Sequence, residues 1–154
     1  MEAANQTVVD NLQTACQLMA HLAGQYQIDV RSLKAYGLKS LSKCIRNGYG
    51  DAEEYLRQFI DRLLYFGELP TYNAGIVAAL AEPEDILKRA KGLVYDGLDK
   101  FHGFRKQAWE AEADYTCDIY EHAVHMLEKQ AIKIDRELKN LGVEGYLGAS
   151  LANS

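Results

Sequence analysis

Apolar residues recur along this chain at alternating steps of three and four, the spacing that keeps one side of a helix apolar. Val9, Leu12, Cys16, Met19, Ala23, Tyr26, Val30 and Leu33 form an unbroken seam. The helix carrying it is predicted to end at Tyr36, because Gly37 can take the left-handed conformation that closes a helix. A second segment, from about Lys39 to Phe66, lines up Leu41, Ile45, Ala52, Tyr55, Leu56, Phe59, Leu63 and Phe66. Asn47-Gly48-Tyr49-Gly50 sets two glycines in its middle, each costing about 1 kcal/mol against alanine, and predicts a kink or break there. The third segment starts after Pro83, with Glu84 and Asp85 suited to the positive end of the helix dipole, and runs to about Trp109. Its stripe is Ile86, Ala90, Leu93, Gly97, Phe101, Phe104 and Ala108. The fourth, about Ala113 to Leu141, aligns Thr116, Tyr120, Ala123, Leu127, Ala131, Ile134, Leu138 and Leu141 and is expected to stop at Gly142. The following VEGYLGASL is predicted as a short fifth helix.

Long helices with one apolar stripe each must bury those stripes against one another, which predicts an all-α four-helix bundle and a single domain over residues 1–154. The links are short except for Gly67 to Pro83. One long crossover between the second and third helices is the connectivity of ferritin-like bundles. A net charge of −5, with no Lys/Arg run longer than two, argues against nucleic acid or an anionic membrane as the main partner. The start MEAANQTVVD has neither a basic nor an apolar leader region, and no apolar run reaches membrane-spanning length, so a soluble cytoplasmic chain is expected. Cys16, Cys44 and Cys117 form no CxxC pair and are expected to be reduced, buried thiols.

GQY at 24–26 is followed by Arg31 and YGLKSL at 36–41, then IDRLLYFGELP at 60–70, YDG at 95–97, DYTCD at 114–118 and NLGVEGYLGASL at 140–151. In order and spacing these stretches make the chain, from about Val9 to Leu151, resemble bacterioferritin, the haem-containing branch of the ferritins. The resemblance implies a bundle with a short fifth helix, assembled as a hollow many-subunit cage that oxidises and stores iron, with haem between pairs of subunits. It also implies a dinuclear iron site made by one Glu from each of two helices and a Glu-x-x-His pair from each of the others.

Carried over position by position, that ligand set is almost gone. Met19 stands at the first-helix Glu, and Ala52 and Tyr55 stand at the second-helix Glu and His. Val94 or, with one inserted residue, Tyr95 takes the third-helix Glu. The fourth-helix pair becomes Val124 and Leu127 in one register, Glu128 and Ala131 in the other. Packed core, in place of a ferroxidase centre, is therefore expected. Glu53 occupies the haem-ligand methionine's position and is a poor substitute for a soft thioether, so the usual haem is not expected. Tyr26 and Asp51 do match family residues, the second an acid on the inner cage surface whose His partner is replaced by Asn47. Their plainer readings are a seam tyrosine and a helix-entry acid.

His21 and His102 stand alone beside apolar stripes. Glu121, His122 and His125 have spacings able to hold a surface metal. His125 lies about 160° around its helix from Leu127, facing solvent or a neighbouring subunit, and a polar outer face is the plainer account. No GxSxG elbow or phosphate-binding glycine loop occurs. The expected function is a structural or iron-storage subunit of a cage or oligomer, formed with copies of itself or with an active bacterioferritin-like subunit. Iron would enter through that assembly. The alternatives are a scaffold module that binds a protein partner, and an enzyme whose metal site has moved to residues such as Glu53, Glu54, Glu121, His125 or Glu128. The candidate metal residues are thus Glu128, Asp51, Glu121 and His125.

Overall fold

A computed structural model describes the backbone of residues 5–73 and 82–152 and the side chains of 5–73 and 82–141. Four helices occupy it: α1 (Gln6–Ala35), α2 (Lys39–Tyr65), α3 (Pro83–Glu110) and α4 (Asp114–Ala152). α1 begins where the Asn5 side chain accepts a hydrogen bond from the Val8 amide at 3.1 Å. α3 begins at Pro83, whose missing N–H costs nothing in a first turn. α1, α2 and α3 end alike, in a residue with positive φ whose successor's amide reaches back five residues: Leu38 to Leu33, Glu68 to Leu63 and Ala113 to Ala108. The left-handed residue is Gly37 (φ 78°) after α1, Gly67 (φ 77°) after α2, and the non-glycine Glu112 (φ 58°) after α3.

α1 packs along α2 and α3 along α4, while the α1–α3 and α2–α4 faces close the bundle more loosely. α1 and α3 are antiparallel, since Asn11 pairs with Gln107 at one end and Asp29 with Arg89 at the other. α2 and α4 are antiparallel by the same logic, from Phe59 against Tyr120 and Gly48 against Gln130. α2 therefore ends, and α3 begins, at opposite ends of the bundle. After α2 the chain runs beside α1. Gln13 donates to the Leu69 carbonyl and accepts from the Thr71 amide, and Gln17 accepts from the Asn73 amide. The long link expected from Gly67 to Pro83 falls partly on 74–81, outside the described residues. Among the described residues no helix is long and apolar enough to cross a membrane.

Three expectations need correction. α2 is continuous through Asn47-Gly48-Tyr49-Gly50, where a kink or break was expected. Gly48 is there because of packing: a Cβ on it would stand 2.7 Å from Cε2 of Tyr26, so the glycine lets α1 and α2 approach without unwinding α2. α4 is one helix through Gly142 to Ala152, where a stop and a separate fifth helix were expected. A glycine ends a helix only when the chain turns left-handed at it, and inside one it is tolerated at about 1 kcal/mol. The seam of α1 also drifts near its end, so that Val30 is only half-buried and Asp29 is fully buried in its place. All three cysteines are free thiols, Cys16 and Cys117 buried and Cys44 half-buried.

Candidate functional site

The middle of the bundle, where the resemblance places two iron ions, is hydrocarbon. Met19, Ala52, Val94, Val124, Leu127 and Ala131 are all buried in the core, and Tyr55 is half-buried beside it. Toward the α3–α4 turn the filling becomes aromatic: Phe59 lies 5.4 Å from Phe101 and 5.3 Å from Tyr120 between ring centroids, and Phe104 lies 5.7 Å from Tyr120. Burial pushes the neighbouring Cys16 thiol up to about 12, so the free thiol stays protonated at neutral pH. The two residues that the alternative registers offered as oxygen donors lie outside this core. Tyr95 is exposed and donates to Asp135 at 3.1 Å, and Glu128 is exposed.

The remaining candidates do not converge. Asp51 is exposed at the rim of a void between α1, α2 and α4. Glu121 faces Arg105 at 3.6 Å and accepts a weak hydrogen bond from the Cys117 thiol at 3.9 Å. His125 is exposed on the outer face of α4, and His122 lies 3.7 Å from Asp118. Glu53 accepts a hydrogen bond from the Tyr49 hydroxyl at 2.7 Å. Among the described residues no three His, Cys, Asp or Glu side chains come together so as to hold a metal ion.

Two buried polar clusters escaped the sequence reading. In the first, the fully buried Tyr26 donates its hydroxyl to Oε1 of Gln130 at 3.1 Å. Gln130 in turn donates to Sδ of Met126 at 2.9 Å and, at a longer 3.4 Å, to the Gly48 carbonyl. This joins α1, α2 and α4 around a void of about 10 Å³, at most the size of one water. Burial, then the nearby Cys44, Asp29 and Asp51, push the Tyr26 phenol far up, so it acts as a permanent donor. In the second cluster Asp29, with no exposed surface, accepts from Gln25 Nε2 at 2.9 Å and from Arg89 Nη2 at 2.7 Å, while its Oδ2 has no partner. Burial raises the Asp29 pKa, against the lowering effect of Gln25 and Arg89. One signal was available: Asp29 falls three residues after Tyr26 and four before Leu33, on the buried side of α1. Both clusters hold helices in register, and neither presents a reactive atom to solvent. No family model matches the chain, and no curated protein matches it.

Proposed function

We propose that this chain is a bacterioferritin-like subunit of a cage or smaller oligomer, serving structure or iron storage without a ferroxidase centre of its own. The observation that carries this reading is the filling of the interior by Met19, Ala52, Val94, Val124 and Leu127, all buried. Iron oxidation at a dinuclear site needs several carboxylates and imidazoles aimed at one pair of ions, and hard oxygen donors cannot be replaced by methyl groups. The ferritin-like connectivity is supported by α2 ending and α3 beginning at opposite ends, with residues 69–73 running beside α1 between them. The C-terminal residues, one helix with α4 here, are those such a cage would use as its fifth helix. Iron in this reading is cargo of the assembly, held with other copies or with an active bacterioferritin-like partner subunit, in the cytoplasm.

Native mass and iron content of the purified protein test the proposal. A large, hollow, many-subunit particle that retains iron yet oxidises added Fe(II) no faster than buffer supports it. A small oligomer free of iron sinks it. That result would favour a scaffold that docks a protein partner, to which the exposed Trp109 and Tyr115 (68% and 72%) at the α3–α4 end are suited.

A further inference from the structure

Residues 30–50 contain five of the chain's 17 Lys and Arg and none of its 22 Asp and Glu. The segment spans the end of α1, the turn and the first half of α2, and three of its cations, Arg31, Lys34 and Arg46, line one face at one end of an otherwise acidic molecule. That face is concave. Gln27, Val30, Arg31, Lys34, Arg46 and Tyr49 line a groove of about 420 Å³, within the range of roughly 300–1,000 Å³ usual for small-molecule sites. Arg31, Lys34 and Arg46 are exposed, and among the described residues none of them forms an ion pair.

The antiparallel α1–α2 pair orders the groove along its length. Lys34 and Arg31 lie nearest the turn, Arg46 next, Tyr49 beyond, and Glu53 one helical turn further. The half-buried Val30 and Tyr49 supply an apolar floor, and the Tyr49 hydroxyl is tied to Glu53, which fixes the ring. One end therefore attracts anions, the middle offers an aromatic face, and the far end is a carboxylate. We propose that this groove binds an organic phosphate carrying a flat, amino-bearing ring, of the nucleoside phosphate class. The phosphate sits among Arg31, Lys34 and Arg46, where guanidinium forks match phosphate oxygens, the ring lies on Tyr49, and its amino group points toward Glu53.

The test is calorimetric titration of the purified full chain with ADP, adenosine and inorganic phosphate. ADP is expected to bind, more weakly as salt rises, with adenosine and inorganic phosphate each at least about tenfold weaker. Arg31→Ala and Arg46→Ala should each weaken ADP about tenfold, the effect of losing one charge-assisted contact. Tyr49→Leu should weaken ADP and leave inorganic phosphate unchanged, while Lys88→Ala, on α3 beside Glu84, should alter neither. Arg31, Arg46 and Lys88 are exposed and Tyr49 is half-buried, and unchanged far-ultraviolet circular dichroism confirms that each variant folds. Absence of ADP binding at millimolar concentration overturns the proposal, as does equal affinity in the Arg31→Ala/Arg46→Ala double variant. Inorganic phosphate binding as tightly as ADP removes the ring from the site and overturns it too. So does a dimer that dissociates in the double variant without any ADP binding, since the groove would then hold a second copy.

Discussion

Gly48 and Gly50 sit two residues apart in the same helix, and their surroundings give them opposite roles. At Gly48 an added methyl would meet the Tyr26 ring at 2.7 Å, whereas at Gly50 it would meet nothing within 4 Å. Tyr26 is wholly buried and hydrogen-bonded, so its ring cannot swing aside. Gly48→Ala should therefore destabilise the fold by about 1–3 kcal/mol despite alanine's better helix propensity, and Gly50→Ala should stabilise it by up to about 1 kcal/mol. Urea unfolding of the two variants checks the pair, and equal effects would defeat the packing account. Asp29 gives a second residue-scale prediction, this one dependent on pH. Its folded pKa lies above the unfolded value of roughly 3.9, so its stabilising contribution is fully present below that value and is lost as pH rises through the folded pKa. Arg89→Ala removes the cation that opposes this shift and raises the folded pKa further. The variant should lose about 3 kcal/mol at neutral pH, because a buried carboxylate is left unpaired, and distinctly less as the pH falls and the raised pKa lets Asp29 take up a proton. Stability measured across that range decides it.

At the scale of the helices, the three turns share one design, and only the last breaks its rule. Gly37 and Gly67 take the left-handed position without penalty, but Glu112 holds a side chain at φ 58°, a conformation costing an L-residue about 1 kcal/mol or more. Glu112 is exposed, so nothing of the core depends on its side chain. Glu112→Gly should raise stability by about 0.5–1 kcal/mol and slow unfolding, read by denaturant titration and stopped-flow mixing; a loss would mean that the turn draws on the carboxylate. These elements also show what the sequence could reveal. Helix ends at Gly37 and Pro83 were legible, because a glycine or proline acts locally and its neighbours supply the rest of the signal. The unbroken α2 was not legible, since the reason for Gly48 is the Tyr26 ring on another helix. Nor was the buried Asp29, because the seam reading favoured Val30 on hydrophobicity while Arg89, 60 residues away, holds the acid in place. The groove with Arg31, Lys34 and Arg46 escaped for a similar reason: its cations are never adjacent in the chain, stand on two different helices, and meet only because α2 folds back on α1.

For the whole molecule, the telling feature is how the diagonal helices are joined. Among the described residues the α1 and α4 backbones do not come within contact distance, nor do those of α2 and α3. Side chains cross the middle instead: Tyr26 of α1 reaches Gln130 of α4, and Phe59 of α2 reaches Phe101 of α3. Between these two bridges lies the space a dinuclear iron site would need, and Met19, Ala52, Val94 and Leu127 occupy it with no exposed side-chain surface to speak of. A single ligand put back there would arrive without partners. Met19→Glu should cost about 3–5 kcal/mol at pH 7, since it places an unpaired carboxylate in apolar core, and the cost should shrink in mild acid as the new side chain takes up a proton. It should bind no Fe(II), because one carboxylate among methyl groups makes no coordination shell. Urea unfolding at two pH values, with an anaerobic Fe(II) titration of the same protein, reads both effects. A Met19→Glu chain that is as stable as the parent and takes up one or two Fe(II) per subunit would mean that the interior still holds a ligand set close to assembly, and the proposal of a bundle without its own oxidation centre would fall with it.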